Sequence, residues 1–149
     1  MATRSSTGSV LAVMTILAIF AGSAMGQGDA SFNIVNDGQP GSILANGVQV
    51  HCFDNDGHDL PATTLLPGQS LFQAFPLISF LELIFTCEVH LDTPSGALQQ
   101  KFDVWKQDQG DFQNFLNECN DCKWSIVPDG FYWHSDRQNS WIREYVWSS

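Results

Sequence analysis

Between residues 31 and 147 the chain is written in short runs of alternating apolar and polar residues, broken by Gly, Pro, Asp and Asn. A period of two marks a half-buried β-strand, because successive side chains point to opposite faces of a sheet. The clearest run is 81–91, where Leu81, Leu83, Phe85, Cys87, Val89 and Leu91 share one face. Glu82, Thr86, Glu88 and His90 share the other, with Ile84 the exception. Strands are also predicted over 31–36 (Phe32, Ile34), and over 47–54, with Val48, Val50 and Cys52 opposite Gln49, His51 and Phe53. Two more follow over 69–75 and 100–106, although Trp105 breaks the alternation set by Phe102 and Val104. Pro76 should interrupt its strand or sit on an edge, since it has no N–H for a ladder. Residues 27–30 read as disordered and 54–67 as a loop.

The strongest local signal lies further on. Trp124 and Ile126 alternate up to Asp129-Gly130, and Phe131, Tyr132 and Trp133 follow. Bulky residues on both sides of Asp-Gly predict a hairpin. A last strand over 141–147 sets Trp141, Arg143, Tyr145 and Trp147 against Ile142, Glu144 and Val146. Only 111–118 has another period: Phe112, Phe115 and Leu116, behind a capping Asp111, predict one or two helical turns. About eight short strands, frequent turns and at most one short helix predict an all-β fold, an antiparallel β-sandwich.

The first 26 residues stand apart. Arg4, an apolar run over 10–20 and the small residues Ala21, Gly22, Ser23, Ala24 and Gly26 read as a secretory signal peptide cut before Gln27. A run of that length falls well short of the roughly 20 residues needed to cross a bilayer. Residues 27–149 are then one secreted domain, with no membrane insertion expected. Without Arg4, that domain carries 16 acidic residues against Lys101, Lys106, Lys123, Arg137 and Arg143. A surface so acidic and without a basic patch repels phosphate backbones and anionic lipid, so nucleic-acid and membrane partners are disfavoured.

All 4 cysteines, Cys52, Cys87, Cys119 and Cys122, follow the leader. An even number behind a signal peptide predicts two disulfides. The rival readings of Cys119-x-x-Cys122 are weaker. A redox pair wants a helix N-terminus in a βαβ setting, and a structural zinc site wants a second close pair. Three pairings exist and the sequence does not choose among them. The two patterns that join Cys119 and Cys122 each to Cys52 or Cys87 would close long loops, worth about 3 to 4 kcal/mol per bridge. Those are the pairings expected of a stapled sandwich; a Cys119–Cys122 bridge would count against it and make that pair the site to study.

No nucleophile elbow or metalloprotease motif occurs, and His51, His58, His90 and His134 are spread singly. No catalytic residue, metal site or cofactor is read from the chain. Asp54-Asn55-Asp56-Gly57-His58-Asp59 has oxygen ligands at alternate positions, but the EF-hand loop needs Gly sixth and Glu twelfth, where Asp59 and Leu65 stand. Trp105, Trp124, Trp133, Trp141 and Trp147, with Phe131 and Tyr132, fill a core or stack on sugars. Because consecutive strand residues cannot all face inward, one or two of these rings should be exposed. No Asn-x-Ser/Thr follows the leader.

Several of these residues together carry a resemblance. Val50-His51-Cys52, the acids Asp54, Asp56 and Asp59 before Leu60, a Leu-Pro-Gly turn and Phe72-Gln73-Ala74-Phe75 come in order. Phe85-Thr86-Cys87, Phe102-Asp103-Val104-Trp105 and Cys119-x-x-Cys122-x-Trp124-x-Ile126-x-x-Asp129-Gly130 follow. The series resembles the plant self-incompatibility proteins, or S-protein homologues, from about Ser31 to Trp147. The resemblance implies a secreted, non-enzymatic, two-disulfide sandwich that acts as an extracellular ligand for a plant cell-surface receptor through variable loops. The expected recognition residues are Asp54, Asp56, His58, Asp59, Trp133 and Asp136, in the loops over 54–59 and 133–139, with the turn over 92–96 beside them. Two departures from the family pattern are Pro61 after the acidic loop and an apolar stretch over 76–81, which leaves both a monomer and a weak dimer open. The alternative is a secreted module that binds cell-wall carbohydrate with exposed aromatics.

Overall fold

The computed structural model describes residues 29–76, 83–107 and 119–149; the leader over 1–26, the expected helical turns over 111–118 and the apolar stretch past Pro76 lie outside the described residues. Among the described residues there are nine strands: β1 (Asp29–Asn36), β2 (Val48–Asp54), β3 (Thr63–Leu65), β4 (Ser70–Pro76), β5 (Leu83–Thr93), β6 (Gly96–Gln107), β7 (Asp121–Val127), β8 (Gly130–Ser135) and β9 (Ser140–Tyr145). They make two sheets, ordered β4-β1-β7-β8-β9 and β3-β2-β5-β6. All neighbours run antiparallel except β1 and β7, which are parallel. The fold is the all-β sandwich expected from the alternation.

Strand parity carries over to burial. Val48, Val50 and Cys52 of β2 and Phe85, Cys87, Val89 and Leu91 of β5 are buried, while Gln49, His51 and Glu88 face away. The two sheets meet through rings. Phe32 of β1 lies 5.2 Å from Phe85 of β5, Phe75 of β4 lies 4.8 Å from Trp105, and Phe102 lies 4.8 Å from Trp124. Burying each large side chain contributes about 1.5 to 3 kcal/mol, with the ring contacts adding to that. A buried hydrogen bond also crosses between the sheets, Trp124 Nε1 donating to the Val104 carbonyl at 2.9 Å. Asn36, wholly buried, ties the chain crossing its end: Nδ2 donates to Leu65 O at 2.8 Å and Leu44 O at 3.3 Å, and Oδ1 accepts the Gly38 N–H at 2.8 Å.

Two bulges explain where parity fails. The β5–β6 register jumps between Phe85 and Thr86, which pair with Trp105 and Asp103. Val104 is the extra residue, so Val104 and Trp105 both point inward and both are buried. The β8–β9 register jumps in the same way between Phe131 and Tyr132, which pair with Tyr145 and Arg143. Trp141 and Arg143 therefore face solvent while Tyr145 turns inward to stack on Phe102 at 5.0 Å, so the last strand does not keep Trp141, Arg143, Tyr145 and Trp147 on one face. Three further expectations change. Asp29 and Ala30 belong to β1, with Ala30 buried, because they pair with Pro76 and Phe75 of β4. The loop over 54–67 contains β3, too short for a period to show. The β7–β8 hairpin turns on Pro128-Asp129, and Gly130 opens β8 at φ 148°, where a Cβ would strike the Tyr145 carbonyl oxygen.

The disulfides are Cys52–Cys87 and Cys119–Cys122. This corrects the expectation that Cys119 and Cys122 would each reach back to Cys52 or Cys87. The first bridge joins facing residues of β2 and β5, 4.0 Å apart at Cα, so it staples two neighbours within one sheet. The second closes the turn that leads into β7. The sandwich does not require a bridge between its sheets, because the rings, the Trp124 hydrogen bond and Asn36 already join them.

Candidate functional site

The acidic loop after β2 is built by its own first residue. Asp54 ends the strand with its side chain largely buried, and Oδ1 accepts the N–H groups of Asp56 (2.9 Å) and His58 (2.8 Å). Short acidic side chains bonding the backbone two and four residues on are what hold such turns. Oδ2 lies 2.8 Å from His58 Nδ1, and the Asp54 N–H donates to the His58 carbonyl at 2.9 Å. Gly57 takes the positive φ of 93° that this reversal needs. The loop is fastened to β5 as well: the Asn55 N–H donates to Ile84 O at 3.0 Å, and the Ile84 N–H to Asn55 Oδ1 at 2.9 Å. A return bond, Leu60 N–H to Cys52 O at 2.9 Å, closes it beside the Cys52–Cys87 bridge. Asp54 is thus a scaffold residue; Asp56, His58 and Asp59 are the exposed ones.

From Asp59 a row of alternating charge crosses the outer face of the four-stranded sheet. His51 Nε2 lies 2.5 Å from Asp59 Oδ1, and its Nδ1 lies 3.5 Å from Glu88 Oε1. Glu88 Oε2 lies 3.7 Å from Lys101 Nζ, which sits 5.6 Å above the Phe53 ring. The hydrogen bond to Asp59 raises the His51 pKa above its ordinary 6.5, against a smaller lowering from desolvation, with Glu88 adding to the rise. Strand parity alone puts His51 and Glu88 on the outer face. It does not reveal that the β2–β5 register sets them directly opposite each other, next to the returning loop.

The other candidates lie elsewhere. In the turn over 92–96, exposed Asp92 is 3.0 Å from His90, and Thr93 Oγ1 donates to the Gly96 carbonyl. Asp136 is exposed in the β8–β9 turn, on the other sheet, 3.0 Å from His134 Nδ1. Trp133 does not stand in an exposed loop but on β8. It is only 6% exposed and faces the core, its Nε1 donating to Glu144 at 3.1 Å, because β8 alternates Phe131 and Trp133 inward with Tyr132 outward. Of the five tryptophans Trp141 is the exposed one, at 48%, and Phe72 of β4 also reaches solvent.

Among the described residues no group of three or more His, Cys, Asp and Glu is placed to hold a metal ion. Asp54 directs its oxygens at the loop's own donors and not toward a common centre for calcium. Cys119 and Cys122 are both buried at a strand start with Asp121 between them, whereas reactive thiols sit exposed in electropositive surroundings. No described helix is long and apolar enough to cross a membrane. A family model described as plant self-incompatibility protein S1 matches residues 31–147. No curated protein matches the chain.

Proposed function

The chain belongs to the plant self-incompatibility protein S1 family, plant recognition and signalling proteins not known as enzymes, and we propose that it is a secreted ligand for a plant cell-surface receptor. On this reading residues 1–26 are removed as the signal peptide and 27–149 form a single extracellular, non-enzymatic domain. Two disulfides suit an oxidising compartment. The observation that carries the reading is the construction of the acidic loop. Its backbone is pinned by Asp54, Asn55 and Leu60, while Asp56, His58 and Asp59 stand out in solvent. A loop ordered before binding loses little further freedom when a partner docks, so its charges confer specificity at low entropic cost. The acidic surface favours a receptor whose contact region is basic.

Two measurements test this. The secreted protein should begin at Gln27 and carry both bridges by intact mass. Fluorescently labelled protein should bind plant cells saturably and be displaced by unlabelled protein. Replacing Asp56, His58 and Asp59 together by Asn, Ala and Asn should weaken that binding at least about tenfold, the scale of one lost charged contact. It should lower the melting temperature at neutral to alkaline pH by no more than a few degrees, since the His58 and Asp59 side chains that make ion pairs are solvent-exposed. Binding indifferent to the triple replacement would remove the loop from the interface, and a protein retained in the cytosol would remove the ligand role.

A further inference from the structure

We propose that the outer face of the five-stranded sheet carries a second site, independent of the acidic loop, for a neutral polysaccharide of flat, equatorially substituted pyranose rings. A shallow, open groove of about 250 Å³ lies on that face, lined by Asp37, Ser125, Val127, Tyr132 and Trp141. Its residues come from the end of β1 and from β7, β8 and β9, brought together by the register: Ser125 lies opposite Tyr132, and Trp141 opposite His134. The indole is packed on one side and open on the other. His134 meets it edge-on at 5.2 Å, and Asp136 holds His134 in turn.

Each lining group fits one part of a sugar. A pyranose with equatorial hydroxyls presents C–H groups on both faces, which stack on an exposed indole, and the Val127 side chain extends the apolar floor. The hydroxyls at the rim of such a ring need hydrogen-bonding partners. Asp37 Oδ2 already accepts from Ser125 Oγ, but a carboxylate has acceptor sites to spare. Tyr132 donates its hydroxyl to Asp129 at 3.0 Å, where Arg143 also binds at 3.4 Å, which leaves the phenol oxygen oriented to accept. Charge selects among sugars. Asp37, Asp129 and Asp136 border the face, but Lys123 and Arg143 lie on it too and Arg143 pairs with Asp129, so it is the net negative charge of the whole chain that disfavours an anionic polymer over a neutral one.

The test titrates the mature protein with cellohexaose and xylohexaose by calorimetry, with polygalacturonate as the anionic counterpart. The indole N–H resonances are followed in parallel. Saturable binding of a neutral oligomer is expected, shifting the Trp141 resonance and leaving the buried Trp105 and Trp124 resonances in place. Trp141→Ala should weaken it at least about tenfold, and Asp37→Asn severalfold. Phe72→Ala should have no effect, since Phe72 is the other strongly exposed ring of the same sheet but lies on β4, away from the groove. Absence of saturable binding, a Trp141 resonance that does not move, binding unchanged in Trp141→Ala, or preference for polygalacturonate would each overturn the assignment. The resonance shift is read on the wild-type protein, so it decides the matter however a variant folds.

Discussion

Removing each disulfide by paired Cys→Ala replacement should cost very different amounts. In the chain-entropy view a bridge acts by restricting the unfolded chain, more so the longer the loop it closes. Cys52–Cys87 spans 35 residues and Cys119–Cys122 spans 3. The same relation gives about 3.8 kcal/mol for the first and about 1.6 kcal/mol for the second. Losing four sulfur atoms from the core adds a packing cost, but Cys52, Cys87 and Cys122 are almost wholly buried and Cys119 nearly so. That cost is therefore similar for the two pairs and largely cancels in the comparison, leaving a gap of about 2 kcal/mol. For a domain with roughly 5 to 15 kcal/mol of net stability, the first removal is severe and the second tolerable. Guanidinium unfolding followed by tryptophan fluorescence reads this directly. With a slope of about 4 kcal/mol/M, the Cys52→Ala/Cys87→Ala midpoint should fall about 0.5 M below that of Cys119→Ala/Cys122→Ala. Equal midpoints, or a lower one for Cys119→Ala/Cys122→Ala, would refute the loop-length reasoning and show that the short bridge holds something the entropy of the open chain does not describe. Non-reduced peptide mapping should recover the same two pairs.

Three other outcomes follow from particular contacts. His51 should titrate above 6.5 by NMR and move back toward 6.5 in Asp59→Asn, since Asp59 is the main cause of its rise. A raised pKa means the pair stabilises the fold below about pH 6.5 and loses that contribution as pH climbs through the folded value, so wild type and Asp59→Asn should differ more at low than at neutral-to-alkaline pH. Both side chains are substantially exposed, so the difference stays within about 1 kcal/mol; a His51 pKa at or below 6.5 would contradict it. Asn36→Leu strips two buried carbonyls and one N–H of their partner and should cost about 3 kcal/mol in urea unfolding, with a loss under about 1 kcal/mol counting against the bond geometry. Trp124→Phe removes the donor to Val104 and leaves a small void between the sheets, and should cost about 2 to 3 kcal/mol by the same assay, whereas a cost no larger than a surface change would contradict that cross-sheet role.

The parts of this fold that show in the sequence are those set by a period of two. Val48, Val50 and Cys52, or Phe85 through Leu91, mark themselves as inward because nothing else explains their spacing. What stays hidden depends on partners far along the chain. Trp105 and Tyr145 break parity because bulges at Val104 and Glu144 shift the register, and a bulge is decided by the strand opposite. β3 spans only three residues, so no alternation can announce it. Trp133 looks like a contact residue because it follows Tyr132 and Phe131 in an aromatic run. Once β8 is placed between β7 and β9, parity takes it into the core and leaves Tyr132 outside. The acidic loop divides in the same way. Its turn chemistry is legible in Asp54-Asn55-Asp56-Gly57, but the contact of Asp59 with His51 and Glu88 needs the β2–β5 register.

The pairing of the cysteines shows how far such an inference reaches. A two-layer sandwich invites the idea of bridges between its layers, and Cys119-x-x-Cys122 could supply two ends. But Cys52 and Cys87 fall opposite each other on adjacent strands with both side chains inward, and they are bridged. Once that bridge forms, Cys119 and Cys122 have only each other. The sheets are then joined by Phe32 against Phe85, Phe75 against Trp105 and Phe102 against Trp124, and by Asn36. Those contacts lie inside the sandwich, so the outer faces are not what joins the two sheets. The charged row from Asp59 to Lys101 and the aromatic groove at Trp141 occupy opposite outer faces, and each can change its sequence without touching what holds the sheets together. That separation makes the two sites experimentally independent: replacing Asp56, His58 and Asp59 should leave the groove intact, and replacing Trp141 should leave the loop intact.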